Sequence, residues 1–523
     1  MYNEALNKHE KIVIGLCVFL LIPALLINLG YLAVIEDEAI RGLVALEMWY
    51  SGDYIAPTIN GVPYYNKPPL YNWIILLSYT LCGQANEFSL RFPTVVFTLL
   101  YSGLVYRLYK ADFGNLGAVS IALLTVTCGR IFIYDSFLGL IDICFSMCMF
   151  SLMIGSYLFA RQEQWTKMFV FAYALAAIGF MLKTLPAIVF LGVSLLVICI
   201  SLKSFKQFFR LGHFMGMAVF MLIVGSYYAV YSIDHDITAL FTKMLTESSD
   251  RTVVKFGIWK TIGHLFTFPF EVFYHFLPWS IMLVYLTRTS AFKMIWENSF
   301  LRMNVLLLFF NILLYWTSPQ VYGRYLLMFP PLLFAPLYFL HRHNQEENTI
   351  QFKIVKGLLL ILVSAIVIGV VSLFFVESIA FVPQRYLKAS FVLFLALTSI
   401  YLFYRAPKFR LLYIFMMAIV FRIGFDFFVF PHRNLNDHSN ELRVSTLEVA
   451  KKYKPKSFYC PPEGIFRTNS YYLTRESKSI VKASADNLEG LFVSPYSRDS
   501  CKKIDQIKSR NRSNDYLVLD CKE

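Results

Sequence analysis

Residues 34–73 read VIEDEAIRGLVALEMWYSGDYIAPTINGVPYYNKPPLYNW. A long apolar run, residues 12–35, leads into them and gives way to acids, among them the carboxylates Asp37 and Glu38. Further on, a lysine stands between an asparagine and two prolines, Asn66-Lys67-Pro68-Pro69. Acids and a stiff cationic turn are expensive beside hydrocarbon and are kept there for use. The stretch therefore points to a membrane-embedded helical fold that carries chemistry at one of its surfaces.

Composition supports the first half of that statement. Of 523 residues, 57% are hydrophobic and 16% charged, and the mean hydropathy is +0.55. Soluble domains average nearer 45–50% apolar and about 25% charged. Apolar runs recur along most of the chain, which marks a polytopic α-helical membrane protein. The net charge of +14 is spread over short loops between apolar runs. That placement fits loops held on the cytoplasmic side and argues against a nucleic-acid partner. The first run, preceded by Lys8 and Lys11, is too long for a signal peptide and lacks a small-residue cleavage site, so it reads as a retained helix. Six cysteines (17, 82, 128, 144, 148 and 199) lie in or beside apolar segments. Cys460, Cys501 and Cys521 lie in the polar tail, where three thiols permit one disulfide at most and spacing leaves the pairing open.

Loop charge then sets the topology. Of fourteen apolar windows, among them 92–106, 115–133 and 270–287, the one at 71–83 has 13 residues, where about 20 are needed to span. Laid along the surface as an interfacial helix, it leaves thirteen spans. The basic loops at Arg107/Lys110, Arg161/Lys167, Lys203/Lys206/Arg210, Arg288/Lys293/Arg302, Arg342/Lys353/Lys356 and Arg405/Lys408/Arg410 then all face the cytoplasm. Asp37, Lys67, Asp142, Lys183, Glu247, Arg324 and everything after Phe430 fall on the opposite, external side. Residues 1–430 read as the membrane domain, with a first external loop at 34–91. Residues 431–523 alternate helix-like and strand-like runs and read as a small external α/β domain.

With that order in hand, further motifs become visible: FSLRFP at 88–93, LIDICFS around Asp142, LKTLPAIV around Lys183, TESSDR at 246–251 and YGRYLLMFPPL around Arg324. Together with the first loop they resemble the GT-C superfamily of membrane glycosyltransferases. The nearest resemblance is to ArnT-like and protein O-mannosyltransferase-like members, the bacterial glycosyltransferase family 39-like proteins. The resemblance covers residues 10–340 in order, and the tail matches in placement only. It implies a GT-C fold in a bacterial inner membrane with its site facing the periplasm. It implies transfer of a sugar from a polyprenyl-phosphate donor to a hydroxyl or phosphate acceptor (lipid A, a protein or an envelope glycan), with inversion.

Such a transfer needs a base for the acceptor's proton and cations for the departing phosphate. Asp37, at the end of the first span, is the candidate base, as the first acid of the pair is in the resembled family. Glu38 is its partner, and Asp142 is the second acid, with Asp135 as its competitor. Lys67 is stiffened by the prolines that follow it, and a point cation suits a phosphate. Lys183, Arg324 and Tyr325 complete the donor-phosphate set by resemblance. Tyr65, Asn66, Arg91, Glu247 and Arg251 stand as supporting positions. Where ArnT-like relatives place a glutamate and a histidine that contribute to a metal site, this chain has Asn66 and Ser248. Zn²⁺ favours the missing ligand types, so no structural metal is expected and a divalent cation is at most loosely held. His264 and His275 are read as interfacial side chains. The competing class is a transporter or flippase for polyprenyl-linked glycans. That reading calls for charges at the bilayer midplane and an internal repeat, and neither is present in the sequence. A catalytically dead GT-C scaffold is the third reading, opposed by the retained Asp37 and Lys67.

Overall fold

The structure, a computed structural model, describes residues 8–249, 258–405, 410–435, 437–484, 490–498, 501–510 and 514–521. Helix α1 (Lys8–Leu26) is followed by a turn and by α2 (Glu36–Ser51). A hairpin, β1 (Thr58–Ile59) and β2 (Val62–Pro63), precedes α3 (Leu70–Cys82). Its turn residues Asn60 and Gly61 have φ of 56° and 71°, the left-handed pair that a two-residue type I′ hairpin demands. Then come α4 (Glu87–Val126), α5 (Asp142–Arg161), α6 (Trp165–Lys183), α7 (Leu185–Ser201) and α8 (Leu211–Asp234).

Among the described residues, eight helices are long and apolar enough to cross a membrane, and α3 and α7 are shorter apolar helices. Thirteen spans were expected, and two of the reasons for the difference are visible in how the helices are built. The window expected at 270–287 is broken, ending one helix at His275 and continuing as a 3₁₀ turn from Trp279 to Thr287. The 40-residue α4 holds two expected spans in one element, with Gly114 at φ 68° inside it. A straight helix would separate Thr94 from Val126 by about 48 Å. The twelve residues from Val126 to Leu138 reach at most about 41 Å fully extended, and eight of them are coiled into tight helical turns. Yet Thr94 Oγ1 donates to the Leu138 carbonyl at 2.7 Å. The chain therefore doubles back at Gly114, where the basic loop of Arg107 and Lys110 was expected.

The two ends of the bundle differ in chemistry. Helix α5 runs from Asp142 to Arg161, about 28 Å. At its far end Arg161 pairs with Asp112 at 2.7 Å, beside the Gly114 turn, and Arg288 pairs with Glu347 at 2.6 Å. At its near end stand Asp142, Lys183, Arg324 and Asp37. Helix α3 buries Tyr71, Ile75 and Tyr79 and exposes Leu77 and Leu81. Being 13 residues long, it spans about 20 Å, short of the hydrocarbon thickness.

The last apolar helical segment runs on to Leu435. Beyond it, helices His438–Lys452 and Arg467–Ser477 pack on a five-stranded sheet. Its strands are β3 (Phe458–Cys460), β4 (Lys482–Ala483), β5 (Leu491–Ser494), β6 (Lys502–Ile507) and β7 (Tyr516–Asp520), in the order β4-β3-β5-β7-β6. The β3 pairings are parallel, and those of β7 are antiparallel. Phe458, Leu473, Leu491, Val493 and Val518 form its core. A disulfide joins Cys501 to Cys521, and Cys460 is a buried free thiol.

Candidate active site

The site grows from the first turn of α2. Ile35 takes the N-cap, so Glu36, Asp37 and Glu38 fill the first three helical positions, where the helix dipole favours negative charge. Successive residues on a helix point in different directions, and the two neighbouring acids have different fates. Glu38 turns inward and is fully buried. Its carboxylate accepts from Arg91 Nε at 2.8 Å and Nη2 at 3.0 Å, from Gly139 N at 2.7 Å and from Ile35 N at 3.0 Å. Arg91 also donates to the carbonyls of Leu29, Leu32 and Ala33. With both oxygens occupied and no exposure, Glu38 has no room to receive a proton from a substrate. Grouped with the catalytic acids on sequence, it is placed as the tie that joins the turn before α2 to the loop before Asp142. Arg91 shares that holding role.

Asp37 turns the other way, and its side chain is 47% exposed. Its Oδ2 lies 2.6 Å from Arg324 Nη2. Arg324 Nε is 3.8 Å from Asp142 Oδ2, and Lys183 Nζ is 2.5 Å from Asp142 Oδ1. The result is an alternating row, Asp37, Arg324, Asp142, Lys183, drawn from four segments. Aromatic faces wall the cations: Lys183 Nζ lies 4.3 Å from the Tyr325 ring centre and 5.1 Å from that of Phe145, and Arg324 stacks 4.6 Å over Tyr322. Such faces attract a cation while excluding water. Lys183 is held at a sharp break between α6 and α7, where Thr184 has φ 62° and ψ −130°. That conformation is costly for any residue but glycine.

Asp37, Asp142, Lys183, Arg324 and Tyr325 are thus brought together. Tyr65, Asn66 and Lys67 are half-buried in the loop leading to α3, whose first prolines, Pro68 and Pro69, are buried. Arg41 braces that loop, donating to the Tyr64 hydroxyl at 3.0 Å. Glu247 belongs to the helix Ile237–Ser249, and its side chain lies outside the described residues, as does Arg251. Among the described residues, no group of three or more His, Cys, Asp or Glu side chains could hold a metal ion. Asn66 is a poor ligand type for one, and the side chain of Ser248 lies outside the described residues; no step is assigned to a metal.

Sequence reasoning missed Arg41, Tyr322 and Phe145, although each lies inside a stretch quoted above for its neighbours, because nothing local announces the contact each makes. It also ranked Asp135 below Asp142 without seeing its partner. Asp135 is buried and held by both Nε and Nη2 of Arg130, at 2.7 and 3.1 Å. Burial pushes its carboxyl up to about 6, against the pull of Arg130. Nearby, the buried pair Arg422–Asp426 props the same segment, with Arg422 donating to the Phe132 carbonyl and to Ser136.

Against known structures, the chain superposes on ArnT from Cupriavidus metallidurans bound to undecaprenyl phosphate with a TM-score of 0.71, covering 99% of this chain and 98% of that one at 14% identity. The apo form of that protein gives 0.66 over 98% of both chains. The fold is that of ArnT. In sequence, residues 66–229 of this ArnT-like chain match the family described as dolichyl-phosphate-mannose-protein mannosyltransferase. It is 29% identical over 183 residues to the undecaprenyl phosphate-alpha-4-amino-4-deoxy-L-arabinose arabinosyl transferase of Yersinia pestis (strain Pestoides F), covering 33% of this chain and 31% of that protein. It is 27% identical over 220 residues to an uncharacterised protein of Aquifex aeolicus (strain VF5), covering 41% and 43%. The chain thus spans less than half the length of the curated relatives it matches.

Proposed function

We propose that this integral membrane protein is a glycosyltransferase that moves a sugar from a polyprenyl-phosphate carrier to a hydroxyl or phosphate acceptor at the external face. The observation that carries the reading is the row Asp37–Arg324–Asp142–Lys183, gathered at one end of the helix bundle. In this reading Asp37, the half-open acid, takes the acceptor's proton as the acceptor oxygen attacks the anomeric carbon. The bond to the carrier phosphate breaks on the opposite face, and the product is inverted. Arg324 and Lys183 receive the phosphate, exchanging carboxylate contacts for phosphate oxygens as the charge leaves. Asp142 holds both cations in register until then. Lys67 and Tyr325 are assigned to the donor phosphate, and Tyr65 and Asn66 to the wall of the same opening.

The external orientation is supported by two features. Basic residues collect at the opposite end of the bundle, as cytoplasmic loops do. The tail carries the Cys501–Cys521 disulfide, which fits an oxidising compartment such as the periplasm. A carrier embedded in lipid also explains a site set at helix ends rather than at the bilayer midplane, where a flippase would need its charges.

The deciding experiment incubates membranes containing the protein with radiolabelled polyprenyl-phosphate sugars and asks which acceptor fraction becomes labelled. Label moving to lipid A, protein or glycan is expected, and Lys67→Ala should raise the donor KM more than the acceptor KM. Passage of intact donor across vesicles without transfer would favour the flippase instead.

A further inference from the structure

The nine-residue connection 27–35 between α1 and α2 carries Asp37 just beyond its end, and its backbone is held from two sides. From the membrane side, Arg91 takes three carbonyls and Glu38 takes the Ile35 amide, as above. From the tail, Arg443 Nη1 donates to the Tyr31 carbonyl at 3.1 Å, the Tyr472 hydroxyl accepts from Val34 N at 3.0 Å, and Arg510 pairs with Glu36 at 2.5 Å. Tyr472 is fully buried. Its hydroxyl also donates to Glu87 Oε1 at 3.0 Å, and Glu87 is in turn gripped by Arg475 at 2.9 Å and Arg443 at 3.4 Å. Glu87 and Arg91 lie one turn apart on α4, so both holds hang from the same helical turn. The tail helix Arg467–Ser477 also seats directly on α2: a Cβ added at Gly42 would stand 2.7 Å from the Tyr471 ring. A loose cap would need none of this buried polar contact, since each such group must be matched to avoid a desolvation cost.

We infer that the tail is part of the catalytic assembly, and that the Tyr472 hydroxyl is a positioning group that fixes the backbone three residues before Asp37. The inference rests on the reading of Asp37 as base. Small displacements of a reacting group are costly, with about 1 Å able to cost a hundredfold, so a single buried hydroxyl in the right place is enough to matter.

The test uses the full chain in lipid nanodiscs. Tyr472→Phe keeps the ring and its packing while removing the hydroxyl. Expected are a fall in kcat of about tenfold, a donor KM within about twofold of the parent, and faster hydrogen exchange in the peptide covering 29–38. In an Asp37→Asn background the same change should cost nothing further, because the group it positions is gone. Faster exchange with unchanged kcat would make the tail a cap and overturn the inference. Unchanged exchange would show that the hydroxyl does not hold the segment, and would overturn it equally. If Tyr472→Phe does not accumulate as folded protein, Arg510→Gln on the exposed rim carries the same readouts, with kcat falling by about twofold. No change in kcat or exchange there would count against the inference. An active Asp37→Asn enzyme would instead remove the reading of Asp37 as base, while the exchange result would still report on the tail.

Discussion

Asp37 and Glu38 are neighbours in the chain, carry the same functional group and sit in the same helical turn, yet the fold uses them for different ends. Glu38 is sealed, with four donors on two oxygens and no exposed surface. Asp37 is about half open and shares a single guanidinium with another acid. A carboxylate whose hydrogen-bonding capacity is filled can only hold structure. One with a free oxygen beside water and a movable cation can exchange a proton. The contrast separates building from chemistry within two residues.

The comparison can be broken most directly at Asp37. Asp37→Asn should lower transfer by about 10²–10⁴-fold while leaving the amount of folded protein unchanged, measured by labelled-sugar transfer beside size-exclusion yield. Glu38→Ala should do the reverse. It strands a buried arginine at a cost of about 3–5 kcal/mol, so thermal unfolding in detergent should collapse before any kinetic effect can be read. If Glu38→Ala folds normally and only slows the reaction, the two acids have been assigned the wrong way round.

Smaller effects sharpen it. Lys183→Ala should raise the donor KM by about tenfold or more, as loss of a charge-assisted contact of roughly 1.5–3 kcal/mol would, with the acceptor KM nearly unchanged. Asp135 gives a pH test. Its folded pKa, about 6, lies above the unfolded value, so the folded state holds a proton that the unfolded state has released. Stability should therefore be highest below about pH 4 as far as this group is concerned, and should fall as pH rises through 6, by on the order of 3 kcal/mol. Asp135→Asn should flatten that slope in thermal unfolding between pH 4.5 and 6.5. The smallest effect is at Thr184, where Thr184→Gly should relieve backbone strain and raise stability by up to about 1 kcal/mol, at no cost to the donor KM.

Much of this was legible in the chain. The membrane class followed from apolar run lengths, and the separation of Asp142 and Lys183 from Arg161 and Arg288 followed from loop charge. The doubling back of α4 was visible as two apolar windows around Arg107 and Lys110. The span at 270–287 was misread because hydropathy records greasiness and not the break after His275. The pairing of the tail cysteines, the Arg130–Asp135 pair and the brace from Arg41 were not legible, since no local pattern announces a partner far along the chain.

By itself, the sequence determined that this protein lives in a membrane, that its ionisable groups divide between two faces, and which residue types are available for phosphate and proton chemistry. Those are properties of local composition and of the cost of charge in hydrocarbon. Tertiary structure alone decided which acid is sealed and which is open, and that the tail reaches the backbone beside Asp37. Glu38 meets Gly139 across 101 residues, Asp37 meets Arg324 across 287, and Val34 meets Tyr472 across 438. Burial and hydrogen-bond saturation are set by such distant neighbours, and they do not exist until the chain has folded.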